Sequence, residues 1–449
     1  MSFLNKLRNK IAINENLEPY TKLVFAIEPH DSLTGTSYIN GTSRSYYVKE
    51  LGRLSQPLTI NSNDWYQSVR NNSIPHHRFR SRGNLLGTYK EYNQILDNEH
   101  YIYYIYLENV YFFKENKEAG FRVLDNKVID DCRNNKCLIV LSMPFEGTSG
   151  IPHHPDDFTI LDSWVKEFNL PKNNVLYLTA NQKCQQHCES LSFQAVPICC
   201  QEIWNDPLVY DDNPLTFKPQ LEKSLYLNFN RAFRFHRKIL LAYLYKENLL
   251  HLGMNSWAAS GSVLGEISQF DPDLLTAQKF IEVNHTQHID QDIKQNLAMN
   301  ISLDCYEKTF ISLVTETLHF NESLFFSEKI WKPIMVGHPF MILGSPGSLA
   351  ELKSRGYRTF DKWLDESYDN ISDLKQRISI IIANLKKLAG LDIQTLMQLR
   401  LEMNEICVHN KMNLKREVRE KYYVEDIYVP EKNILDVLVN AVANLKESS

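Results

Sequence analysis

Two short stretches of this chain carry more charge than a buried framework needs. The first is "NFNRAFRFHRK" (228–238), where Arg231, Arg234 and Arg237 fall within seven residues. The second is "SEKIWK" (327–332), where Glu328, Lys329 and Lys332 open a run that is otherwise apolar. Guanidinium forks match phosphate oxygens two at a time, and the free N–H groups of a helix start already favour an anion. Three arginines at such a start read as a cradle for a diphosphate, with Asn228 and Asn230 adding turn chemistry beside it. The competing reading is a solvated basic face. In the second stretch, a carboxylate at a strand–helix junction can accept both hydroxyls of a ribose while the adjacent lysine reaches the phosphates. The competing reading there is an exposed Glu328–Lys332 pair one turn apart, worth only about 0.3–0.5 kcal/mol.

These residues need elements that aim them at one place. "LYLNFN" reads as a strand and "HRKILLAYLYKENLL" as the helix that follows it. "FISLVTETL" (310–318) reads as a second strand, with Thr315 near its end, and "LHFNESLFF" as a loop. Ser327 is the N-cap of the next helix, whose stripe is Ile330, Trp331, Ile334 and Met335. Pro333 inside that helix removes a backbone bond and predicts a kink. Then come the strand "PFMILG" and a helix from Ser348 to Arg355. Ligands of open α/β sheets bind outside the carboxyl ends of the strands, where both charged stretches fall.

Upstream, "CLIVLSM" (137–143) and "VLYLT" (175–179) are continuous apolar runs of the kind buried on both faces of a parallel sheet. The amphipathic stretch "DDFTILDSWVKEFNLPKNN" between them completes a βαβ unit. The aromatic run "YIYYIYLENVYFF" reads as a long hairpin or edge strand rather than as a ligand-stacking ribbon. The polar, proline-bearing stretch 205–224 separates this region from the charged one. The expected fold class is α/β, with two Rossmann-like domains facing across a cleft and helices at the C-terminus. The expected boundaries are 1–215 for the first α/β domain, 216–370 for the second and 371–449 for a helical segment packing on both.

A length of 449 residues suits two or three domains, and 43% hydrophobic with 23% charged residues suits a globular chain. The net charge of −5 argues against nucleic acid as a partner, although "HHRFRSRGN" (76–84) offers a local basic contact. No apolar run reaches the roughly 18–20 residues needed to span a bilayer. With no leader of secretory type, the eight cysteines are expected to be reduced and the compartment cytoplasmic. The N-terminal segment, with Phe3, Leu4, Leu7 and Ile11 on one side, reads as a cap on the first domain or as a peripheral membrane contact. "CQQHC" (184–188) matches no common zinc spacing.

The block "VTETLHFNESLFFSEKIWKPIMVGHPFMILG" (314–344) resembles the donor-binding motif of fucosyltransferase-like enzymes of the GT-B fold. These have an acidic-polar strand end, a loop, a [ST]EK triplet before an aromatic pair, and a strand ending in Leu-Gly. "LNFNRAFRFHRKILLAYLYKENLL" resembles the same family's Asn-rich strand end, whose arginine contacts the diphosphate. The similarity covers residues 224–369, and its Lys332-Pro333 pair departs from the pattern. The resemblance implies a glycosyltransferase with a nucleotide-diphosphate sugar, GDP-linked for preference, as co-substrate and no resident cofactor. It implies that Arg237, with Arg234, holds the diphosphate, Glu328 the ribose and Lys329 the phosphates.

An inverting displacement onto a glycan hydroxyl then needs a carboxylate base near the acceptor. Glu146, after the strand "CLIVLSM", is the first candidate, with Glu28, Asp156 and Asp157 behind it and His153 and His154 as acceptor contacts. "DPD" (271–273) and "DQD" (290–292) have the form of a metal-binding Asp-x-Asp motif, but neither follows an apolar strand, so no metal site is expected. The rival expectations are a transferase acting on hydroxylated DNA bases and a non-catalytic scaffold.

Overall fold

The computed structural model describes residues 18–27, 38–39, 42–43, 88–91, 94–106, 126–143, 157–187, 189–198, 215–219, 225–230, 234–258, 266–284, 286–287, 301–321, 323–424, 427–428 and 432–447. The chain divides into two units. One takes the described residues up to Ile198 together with those from Arg419 onward, and the other is Cys199–Val418.

The first unit is built on a six-stranded parallel sheet. Its strands are β1 (Val24–Ile27), β2 (Thr88–Glu91), β3 (Tyr101–Tyr106), β4 (Cys137–Met143), β5 (Val175–Thr179) and β6 (Gln194–Pro197), in the order β2-β1-β3-β4-β5-β6. Leu138, Ile139, Val140 and Leu141 of β4 are all buried, as a strand covered on both faces requires. Helix α1 (Asn126–Arg133) buries Val128, Ile129 and Cys132. Helix α2 (Asp157–Glu167) buries Phe158, Leu161, Trp164 and Val165, one side of a 3.6-residue repeat.

The aromatic run is corrected here. Tyr101–Tyr106 lies between β1 and β4, parallel to both, and so is not an edge; the rest of the run, 107–113, lies outside the described residues. Tyrosine is tolerated at this interior position because its hydroxyl finds a partner: Tyr101 donates to Asp131 of α1 at 2.8 Å.

The second unit holds β7 (Tyr226–Asn230), β8 (Gly253–Ala258), β9 (Thr286–Gln287), β10 (Ile311–Thr315) and β11 (Phe340–Leu343), in the order β9-β8-β7-β10-β11. All pairs are parallel except β8–β9. From β7 the chain moves outward to β8, then returns to the other side of β7 as β10. The strand order therefore reverses between β7 and β10, which is the topological switch point of such a sheet.

Helix α3 (Phe235–Lys246) follows β7 and is buried almost all round from His236 to Leu244. Helix α4 (Glu328–Val336) follows β10, α5 (Ser348–Ser354) follows β11, and the long helices α6 (Leu374–Ala389) and α7 (Ile393–Tyr422) come after. The last helix, α8 (Lys432–Glu447), packs on the first unit against β4 and the segment at Glu18–Thr21. Among the described residues, no helix is long and apolar enough to cross a membrane.

Candidate functional site

The two charged stretches meet at the switch point. β7 and β10 pair through their backbones only at Ile311–Tyr226 and Ser312–Leu227. Beyond that register side chains take over. Asn228 donates to the Leu313 carbonyl at 2.6 Å, Asn230 donates to Asn228, and the Thr315 hydroxyl donates to Asn230. Asn230 and Thr315 are both buried. They stitch the two strand ends together, so their polar groups are spent within the protein.

Helix α3 starts against the loop that leaves β10. Arg234 is its N-cap, with extended backbone and no side-chain cap bond. Arg234 is half-buried and its Nη1 donates to the Thr317 carbonyl at 3.4 Å. His236 Nε2 meets the Glu316 carbonyl at 2.8 Å. Arg237 is 2% exposed, and its Nη2 donates to the carbonyls of Thr315 and Glu316 at 3.1 and 2.9 Å. The guanidinium expected to hold a diphosphate is thus turned into the framework, where it clamps the end of β10. The physical reason is helix phase: α3 is buried nearly all round, and its third residue falls within that buried surface.

Helix α4 begins as expected. Ser327 caps it, accepting from the Lys329 N–H at 3.3 Å. Glu328 and Lys329 pair at 2.8 Å, each with about a fifth of its side chain exposed. Glu328 therefore takes Lys329 as its ion-pair partner in the first turn. Burial pushes the Glu328 carboxyl up, but the charge and hydrogen bond of Lys329 and the charge of Lys332 outweigh it and hold it below the usual range. The helix runs on through Pro333 and ends at Gly337 (φ 74°, ψ 45°), where Gly337 and His338 N–H groups bond back to Ile334 and Pro333. Ile330, Trp331, Ile334 and Met335 are buried, and Lys332 is half-buried.

Sequence reasoning passed over Glu316, one residue beyond β10. Its carboxyl is fully buried. Oε2 accepts from the N–H groups of Thr317 and Ser327, both at 3.2 Å, and from the Ser327 hydroxyl at 2.5 Å. His319, further along the loop, stacks on His236 with ring centroids 4.5 Å apart. Burial pushes His319 down to about 4, helped by the charges of Arg377 and Arg234. The acid in "VTET" was a usable signal, because a carboxyl rarely closes a buried strand without a job.

The remaining expectations divide. Arg231, Glu146, Glu28, Asp156, His153, His154, the segment 76–84, "DQD" (290–292) and the N-terminal 3–11 side lie outside the described residues. Asp157 opens α2. In "DPD", Asp271 accepts from the Asp273 N–H and from Tyr243 and pairs with Lys375 at 2.9 Å, so it acts as a turn cap in a polar network. Cys184 of "CQQHC" is buried in the apolar core of the first unit.

No family model and no curated protein matches this chain. Among solved structures, the crystal structure of a glycosyltransferase from Rickettsia africae ESF-5 is similar at 10% identity, over 96% of this chain and 100% of that one, with a TM-score of 0.40. So loose a superposition transfers no residue from one chain to the other. The α/β class stands on this chain's own two sheets, parallel throughout but for the β8–β9 pair.

Proposed function

We propose that this chain is a glycosyltransferase of the fucosyltransferase-like GT-B kind, moving a sugar from a nucleotide diphosphate, GDP for preference, to a hydroxyl of a glycan acceptor. The observation that carries the reading is the pairing of two helix starts, each bearing a cation, at the switch point between β7 and β10. Arg234 stands at one start and Lys329 at the other, with Glu328 beside it. In this reading Glu328 accepts the ribose hydroxyls, and Arg234, Lys329 and the helix N–H groups face the diphosphate. Lys332 adds charge at the rim, while Arg237, Asn230 and Thr315 hold the frame.

The chemistry follows from that arrangement. The bond from the anomeric carbon to the diphosphate oxygen breaks, and its electron pair leaves with the diphosphate. The cations stabilise that charge as it develops, so no metal ion is required. The acceptor oxygen forms the new bond with inversion and gives its proton to a carboxylate base, for which Glu146 is the candidate.

The test is a melting screen against GDP-, UDP-, CMP- and dTDP-sugars. A donor at about a hundred times its dissociation constant stabilises the fold by roughly 2.7 kcal/mol. Glu328→Ala and Arg234→Ala are each expected to abolish the donor-induced shift while melting normally without ligand. Retention of the parent's shift by both variants would place the nucleotide elsewhere.

A further inference from the structure

His319 is held by its faces. Its ring lies 4.5 Å from that of His236 and 4.1 Å from that of Phe320, tilted by 29° and 36°. Two rings so near and so nearly parallel cannot share one face, so the imidazole is stacked between them. Its backbone carbonyl accepts from Arg377 at 3.4 Å, but among the described residues its ring nitrogens make no hydrogen bond. His236 is committed on one side only. A carbonyl can only accept, so the Nε2 that meets Glu316 carries the proton, and Nδ1 is a bare acceptor, buried without a donor.

Phe235 extends the stack into a wall. Its ring is 6.3 Å from that of His319 and meets Phe270, in the helix after β8, edge to face at 5.6 Å. Phe235, Phe270, His319 and Phe320 are each half-buried. Burial, helped by the charges of Arg377 and Arg234, keeps the His319 imidazole neutral at pH 7. A neutral imidazole offers one donor and one acceptor. A hydroxyl can use either, whereas a phosphate oxygen can only accept.

Three features follow one another around the loop that leaves β10. Glu316 ties Ser327, and with it the Glu328–Lys329 start of α4, to the strand end. Thr317 takes Arg234, and His319 takes the aromatic wall. An acid, then cations, then rings is the order of pentose, diphosphate and transferred sugar in a sugar nucleotide.

We propose that His319 and Phe235 form the subsite of the transferred sugar, the rings covering its C–H face and the His319 edge bonding one of its hydroxyls. The proposal rests on the nucleotide reading given above and adds to it where the sugar lies and which residues select it.

The experiment compares free nucleotides with their sugar-linked forms by calorimetric titration: GDP against GDP-mannose and GDP-fucose, and UDP against UDP-glucose. His319→Phe keeps a stacked ring and removes both nitrogens. It should bind the free nucleotide within about twofold of the parent and the sugar-linked form about tenfold more weakly. His319→Gln restores a donor and an acceptor and should recover part of that loss. Phe235→Leu should show the same selective loss through the missing ring face, and it carries the test if His319→Phe does not fold. Equal losses for a nucleotide and its sugar-linked form would put the base or the phosphates on the wall, overturning the sugar subsite while the nucleotide reading stands. Parent-like binding of the sugar-linked form by His319→Phe and Phe235→Leu overturns the subsite as well. If the parent binds no nucleotide, free or sugar-linked, the nucleotide reading itself fails and the subsite with it.

Discussion

Arg234 and Arg237 stand one helical turn apart and separate two kinds of work. Arg237 is buried and donates to two carbonyls at the end of β10, whereas Arg234 keeps part of its surface at the helix start. Hydrogen bonds from a charged donor contribute about 1.5–3 kcal/mol each, and removing one end leaves buried acceptors unpaired. Arg237→Ala is therefore expected to lower stability by about 3 kcal/mol or more in chemical denaturation. Arg234→Ala should change it by less than about 1 kcal/mol. From sequence the three arginines looked alike, because spacing places all of them near a helix start but does not say which one faces the sheet. The partial exposure of Glu328 and Lys329 was readable, since the first turn of a capped helix leaves its leading side chains near the surface. His319 supplies a further check. Its folded value lies below the ordinary one, so the stability it contributes is present above about pH 6.5 and is lost as pH falls toward its folded value. His319→Phe should flatten part of the loss of melting temperature between about pH 6.5 and 4.

At the scale of elements, local chemistry set the boundaries of α4 well. Ser327 caps it, the apolar stripe is buried, and Gly337 stops it in the left-handed region that glycine tolerates. An added Cβ at Gly337 meets only the Cys407 Cβ at 4.0 Å, so Gly337→Ala isolates the backbone penalty. It should cost about 1 kcal/mol, read from the denaturation midpoint. Gly253→Ala is a different case, because its Cβ would fall 2.3 Å from the ring of the buried Tyr226 between two central strands. Strand identity was legible wherever the run was apolar throughout, as in β4, β5 and β10. In β3 the strand was read but its interior place was not, because tyrosines suggested a half-wet face at an edge. No sequence pattern announces that Asp131, thirty residues on, will satisfy the Tyr101 hydroxyl. The stitch of Asn228, Asn230 and Thr315 was invisible for the same reason: it joins strands more than eighty residues apart.

Over the whole molecule, the alternation of strands and helices was enough to indicate two α/β sheets, because each buried parallel strand writes a continuous apolar run. The sequence reading had 371–449 packing on both domains but not which helix covers which core, since an amphipathic helix does not say so. Helix α8 buries Ile434, Leu435, Leu438, Ala441, Val442 and Leu445 on the first unit, where Asp436 also accepts from the Tyr20 hydroxyl at 2.5 Å. Each large apolar side chain so buried contributes on the order of 1.5–3 kcal/mol, before the entropy of ordering the helix is subtracted. Against a net stability of about 5–15 kcal/mol, that is enough to decide whether the first unit stays folded. The nucleotide residues proposed above all lie in Cys199–Val418. A chain ending at Val418 should therefore lose the melting transition of the first unit, or show it at a much lower temperature. The transition of the second unit should persist and keep its upward shift with the donor that stabilises the full chain. Calorimetry of both forms, with and without that donor, separates the outcomes. A shift that disappears with α8 would mean that donor binding depends on the first unit after all.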